Sequence, residues 1–175
     1  MPPTRFYHRN QLMKTVLMVY HTKTGGTLQM VRAAAAGAAA QAQIAVRVLP
    51  APQAQPEDLL AADGYVFATP ENLAAMSGLV KDFFDRTYYP VLERLNGRPY
   101  GALICAGSDG QNAARQLERI ATGWRLRAIA PTLIVCTHAE SPQEILRQKL
   151  IPAADLARCE ELGATLAAGL SLGIY

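Results

Sequence analysis

The sequence predicts an α/β fold: a doubly wound, five-stranded parallel sheet in the order 2-1-3-4-5, with helices on both faces. Three observations carry this expectation. Five short apolar runs alternate with longer segments of helical character, a pattern that implies parallel strands joined by crossover helices. Right-handed crossovers leave few strand orders open. Polar marks fall on the second and fifth strands, Arg47 in one and Pro131 at the start of the other, which places these two at the sheet edges.

Taken in order, Thr15–Tyr20 (TVLMVY) is apolar on both faces, as a buried parallel strand must be. Leu28–Gln41 reads as a helix on its alanines, the best helix formers. Ile44–Leu49 is the second strand, and the proline-rich APQAQPEDLLAA leads through a short helix to the third, Gly64–Ala68. In Ser77–Leu95 the apolar pairs Leu79/Val80, Phe83/Phe84 and Val91/Leu92 share one helix face with Tyr88 and Leu95. Lys81, Asp82, Asp85 and Arg86 occupy the other as a solvated surface, and Pro90 is expected to end or kink the helix near Tyr89. Tyr100–Ala106 is the fourth strand, Asn112–Thr122 a helix, Pro131–Cys136 the fifth strand, and a last helix runs from about Ala153 to Leu170.

Half of the 175 residues are hydrophobic and 18% are charged, the balance of one globular domain with an ample core. That domain is expected over 13–175, with 1–12 as a polar, basic arm or extension ahead of Met13. The apolar run Val16–Tyr20 is too short for a signal-peptide core or a membrane span. A net charge of +3 suits a small anionic ligand and is too weak to argue for nucleic acid. Cys105, Cys136 and Cys159 are odd in number and widely spaced, which fits reduced thiols in a cytoplasmic protein. No Cys/His spacing points to a metal site.

In a sheet of this order, ligands bind beyond the C-terminal strand ends, at the switch point between strands 1 and 3. The loops there read HTKTGGT (21–27), TPENLAAMS (69–77), GSDGQ (107–111) and THAESP (137–142). HTKTGGT is neither a Walker A loop nor GxGxxG. It does set turn amides and a helix N-terminus beside three hydroxyls, a combination that stabilises a phosphate dianion without a metal. The alternative is an ordinary strand-to-helix turn with Thr24 or Thr27 as N-cap. A phosphate-accepting signalling domain would need an aspartate ending the third strand, where Thr69 stands.

Three segments resemble the flavodoxin superfamily. TKTGGT after VLMVY resembles its T/S-x-T/x-G-x-T phosphate loop, and GSDGQNAARQL resembles its small-residue loop under the flavin ring. The most specific is ADGYVFATPENLAAMSGLVKDFFDRT, residues 62–87, similar to the segment of flavodoxin-like NAD(P)H-dependent FMN/quinone oxidoreductases that reads roughly AD-x-hydrophobic-x-GTP followed by MS-x-x-x-K-x-F-x-D-R. The resemblance implies that Thr22, Lys23, Thr24, Gly25, Gly26 and Thr27 bind the phosphate of FMN. It sets Pro70, Glu71, Asn72, Leu73 and Ala74 along the isoalloxazine, and Ser108, Asp109, Gly110 and Gln111 at its border. Two features depart from the pattern: Ala68 replaces the glycine of GTP, and Glu71-Asn72-Leu73 replaces an aromatic- and glycine-bearing stretch.

Neither 70–77 nor 107–111 contains an aromatic residue, and the net charge is positive, whereas electron-carrying flavodoxins sandwich their flavin between aromatics and are acidic. An uncovered flavin face admits nicotinamide and then an acceptor to the ~3–3.5 Å that hydride transfer needs. The expectation is therefore an FMN enzyme taking hydride from NAD(P)H and passing electrons to a quinone-like or other small acceptor. The alternatives are a flavodoxin-type carrier and a flavin-fold binding or regulatory protein without turnover. No side chain need act as nucleophile. His138, beyond the fifth strand, is the one candidate proton donor, weighed against an ordinary loop histidine. The resemblance also implies a homodimer or homotetramer, through which a second chain could supply an aromatic residue.

Overall fold

The computed structural model describes residues 13–175; the arm expected over 1–12 lies outside the described residues. The chain runs β1 (Lys14–Tyr20), α1 (Gly26–Ala39), β2 (Ile44–Pro50), α2 (Pro56–Ala61), β3 (Gly64–Asn72), β4 (Ala75–Met76), α3 (Gly78–Val91), β5 (Pro99–Ala106), α4 (Gln111–Gly123), β6 (Arg127–Ala128), β7 (Leu133–Cys136), α5 (Pro142–Leu146) and α6 (Ala153–Leu172). Strands pair in the order β2-β1-β3-β5, with β6 and β7 both on the outer side of β5. Every pairing is parallel except that of β4 with β3, so the five expected strands stand in the order 2-1-3-4-5. Arg47 does lie on an edge strand, where it pairs with Asp58 at 2.6 Å.

The second edge is broken. Tyr100 faces Ala128 and Leu103 faces Leu133, so only Gly101 and Ala102 lie opposite residues 129–132. Pro131, which has no N–H for a ladder, sits in that break. The expected fifth strand thus begins two residues late, at Leu133.

Alternation along β1 and β3 feeds two cores. Leu17, Val19, Tyr65 and Phe67 face α3 and α4, where Phe83, Phe84 and Trp124 complete an aromatic cluster. Val16, Met18, Val66 and Ala68 face α1 and α6. Pro90 is accommodated in the last turn of α3, which ends at Val91. Arg86 is more than a solvated charge: besides pairing with Asp82 it donates to the carbonyls of Ala51 and Ala54, tying α3 to the β2–α2 connection.

One expectation is corrected. TPENLAAMS is not an open loop: β3 continues to Asn72 and turns back through Leu73 and Ala74 into β4. Both turn residues have positive φ, +50° and +58°, the requirement of a type I′ hairpin. Such turns favour Asn-Gly, so Leu-Ala gave no turn signal in the sequence.

Candidate functional site

The loop after β1 presents an uncapped helix start and a buried, unpartnered hydroxyl. Gly25, at φ +83°, is the N-cap of α1 and no side chain caps the helix, which removes the Thr24 or Thr27 cap as an account of this loop. Thr22 Oγ1 instead accepts from the Gly25 N–H at 3.1 Å and closes the turn on itself. Thr27 is 1% exposed, yet its hydroxyl makes no hydrogen bond among the described residues. The Cys105 thiol lies near enough for its pKa to feel that hydroxyl, but the contact is not a hydrogen bond of ordinary geometry. An uncapped helix N-terminus with a buried, unpaired hydroxyl is an unmet demand for an anion. Glycine is required at position 26, where a Cβ would stand 2.6 Å from Cys105 Sγ.

The hairpin after β3 forms the next wall, and α4 holds it in place. Met76 N–H donates to Gln116 Oε1 at 2.9 Å, Asn112 Nδ2 donates to the Ala74 carbonyl at 2.6 Å, and the Gly110 N–H donates to Glu71 Oε2 at 2.9 Å. Thr69 Oγ1 accepts from Ser77 N–H, which sets the start of α3.

A strap that follows β7 closes the third side. Its short helix α5 carries a Ser141/Glu144 capping box, and Lys149 Nζ caps the other end through the carbonyls of Glu144, Ile145 and Arg147. Gln29 of α1 clasps this strap: Nε2 donates to the Lys149 carbonyl and Oε1 accepts from Ile151 N–H, while Lys149 N–H donates to the Thr24 carbonyl.

These walls enclose a cavity of about 470 Å³, within the ordinary range for a cofactor or small-ligand site. Thr22, Lys23, Thr24, Gly26 and Thr27 line it from the first loop, Pro70 to Ala74 from the hairpin, and Ser108 from the loop after β5. Gly25, Asp109, Gly110 and Gln111 do not line it; Gly25 and Gly110 act behind the wall, as left-handed N-caps of α1 and α4. Sequence reasoning missed Cys105 and Ala106 at the strand end, and it placed the loops 107–111 and 137–142 here without singling out Gly107, Thr137 or Ala139. It also missed Ile145, Leu146 and Lys149, which the strap brings from far along the chain. Among the described residues no aromatic side chain lines the cavity. Tyr100 and Trp124 lie in the core, Tyr88 packs on Trp124, and Tyr89 is exposed.

His138 is exposed with φ +54°, its N–H donating to the Gly107 carbonyl; its neighbours on either side line the cavity and it does not. Burial pushes the Cys105 thiol up to about 11, so the wall there is a neutral sulfur. His21, just before the loop, has a shielded Nδ1 without a partner, and burial followed by Lys23 holds its imidazole below 6.5. Between that lowered value and 6.5 the unfolded chain binds more protons than the folded one, so stability rises with pH across the window. Urea midpoints at about pH 5 and about pH 7.5 are expected to show this slope, and to show it flattened in His21→Asn. An equal slope in the variant assigns it elsewhere.

The family model for NADPH-dependent FMN reductase matches residues 50–140, just over half of the chain. The chain belongs to that family. The matched span contains the β3–β4 hairpin and the loop after β5, and it leaves out the loop at 21–27. A flavodoxin of Aquifex aeolicus is 38% identical over 96 residues, 55% of this chain and 50% of its own. An NAD(P)H dehydrogenase (quinone) of Acidithiobacillus ferrooxidans is 34% identical over 95 residues, 43% of this chain and 48% of its own. The chain therefore spans about half the length of the curated relatives it matches. Among solved structures, oxidised Flavodoxin 1 from Bacillus cereus superposes with a TM-score of 0.72 over 89% of this chain and 98% of its own, at 16% identity. A WrbA-like flavodoxin from Agrobacterium tumefaciens gives 0.67 over 91% and 98%, at 17% identity. At such identities the likeness shows the fold, which is flavodoxin-like.

Proposed function

We propose that the chain is an FMN-binding oxidoreductase that takes hydride from NAD(P)H and passes electrons to a quinone-like or other small acceptor. The observation that carries this reading is the unmet anion site at 22–27 opening into a cavity whose remaining walls are mostly small and aliphatic residues, with Glu71, Asn72 and Lys149 among them. The family match and the quinone-dehydrogenase relative support it. In this reading Thr22, Lys23, Thr24, Gly26 and Thr27 hold the phosphate directly, and Gly25 shapes their turn. Pro70, Glu71, Asn72, Leu73, Ala74 and Ser108 border the ring, with Asp109, Gly110 and Gln111 fixing the loop behind it.

Bound FMN would supply the hydride-accepting chemistry. The chain's own residues would hold and orient it, and among the described residues no aromatic side chain is set against the cavity to cover a ring face. The reading further takes the protein to be cytoplasmic and a homodimer or homotetramer. Among the described residues no helix is long and apolar enough to cross a membrane.

The test is a visible spectrum of protein reconstituted with FMN, followed by anaerobic addition of NADH or NADPH. Bleaching by either, and its reversal by a quinone, is the expected result. Bound flavin that ignores both nucleotides favours the carrier that the flavodoxin relative suggests. Failure to take up flavin removes the reading altogether.

A further inference from the structure

One charged side chain links two walls of the cavity, and half of it is unsatisfied. Glu71 extends from the end of β3, and its Oε2 accepts from the N–H of Gly110, the residue that starts α4. That helix has no side-chain cap of its own and no acid in its first turn. A carboxylate from the hairpin therefore serves as its remote cap. The other oxygen, Oε1, is shielded from solvent and has no donor among the described residues. Among the described residues no Lys or Arg pairs with Glu71: the ion pairs lie elsewhere, and Lys149 Nζ is turned to carbonyls of the strap. The nearby Asp109 is of the same sign, and both carboxylates, after burial, push up the Cys136 thiol.

We propose that Glu71 is a positioning residue that locks the hairpin to the loop at 107–111 and makes a bound flavin harder to reduce. The inference rests on the FMN reading of the cavity. Two physical effects combine. The Oε2 contact fixes the relative position of the two ring-bordering loops before any ligand arrives, lowering the ordering cost of binding. The uncompensated negative charge in the wall opposes further negative charge on a ring seated against it, and thus favours handing electrons on.

Glu71→Gln keeps shape and one acceptor oxygen but removes the charge; Glu71→Leu removes both. In the FMN-free protein, amide exchange at Gly110 is expected to quicken at least about threefold in Glu71→Leu, with the thermal midpoint confirming a folded chain. With FMN bound, Glu71→Gln is expected to favour the reduced over the oxidised form by about tenfold more than wild type does, a rise of about 30 mV in the two-electron midpoint potential. Oxidised FMN should bind Glu71→Gln within about threefold of wild type and Glu71→Leu at least about tenfold more weakly, since only the latter loses the acceptor that ties the hairpin to Gly110. Unchanged Gly110 exchange overturns the locking role. An unchanged or lower potential in FMN-loaded Glu71→Gln overturns the charge effect. Wild-type protein that takes up no FMN defeats the functional reading and the electronic half with it, and leaves the exchange result standing alone on the locking role.

Discussion

Gly163→Ala is expected to destabilise the fold by about 3 kcal/mol, although alanine is the better helix former. Gly163 lies where α6 crosses α1, and a Cβ there would fall against the Ala34 carbonyl, 2.7 Å from its carbon. The crossing is reciprocal: a Cβ on Gly37 would meet the Glu160 carbonyl, 2.8 Å from its carbon. Neither obstacle is a side chain that can swing aside, so the helices must separate. Separation opens a seam that includes Met30, Ala34, Ala38, Leu166 and Ala167, all fully buried. The propensity gain of about 1 kcal/mol cannot offset that loss. Gly78 provides the control, because nothing lies within 4 Å of its would-be Cβ; Gly78→Ala should be neutral or stabilising by up to about 1 kcal/mol. Urea unfolding measures both. A Gly163→Ala midpoint equal to that of wild type would mean that the crossing yields without cost.

The fold was legible because its signals are local and agree with one another. TVLMVY, GYVFA and YGALICA are apolar runs of strand length, and the intervening segments carry alanine or a four-residue apolar beat. Strand order followed from Arg47 and Pro131, each a poor fit to a sheet interior. The hairpin was not legible, because Leu73 and Ala74 hold left-handed conformations that nothing in their side chains favours. Contacts from α4 hold that turn instead, through Gln116, Asn112 and the Gly110 N–H, and such tertiary bonds leave no mark on the hairpin's own sequence. The loop at 21–27 could be singled out as part of the cavity wall from hydroxyls and glycines beside a helix start. The strap could not, because α5 has only five residues and its place over α1 depends on Gln29, more than a hundred residues earlier. Cys105 is a core residue of β5 that also borders the cavity, because Gly26 carries no side chain to cover it.

Thr27→Val should move stability and ligand affinity in different directions. The hydroxyl is buried and unpaired in the ligand-free chain, so replacing it with a methyl group of similar size removes an unmet polar atom without breaking a hydrogen bond. The thermal midpoint of the ligand-free protein is therefore expected to hold or rise. FMN affinity is expected to fall about 10- to 100-fold, the worth of one hydrogen bond to a charged group at about 1.5–3 kcal/mol. Riboflavin, which has the ring and no phosphate, separates the two ends of the cavity: its binding should be unaffected by the substitution. A variant that loses FMN and riboflavin affinity equally would show that Thr27 acts through the shape of the cavity. A variant that loses stability before ligand is added would show that Thr27 already has a partner in the folded chain. The three readouts together decide whether the unsatisfied hydroxyl below Gly26 is held for a phosphate, since only that role predicts a loss confined to the phosphorylated ligand.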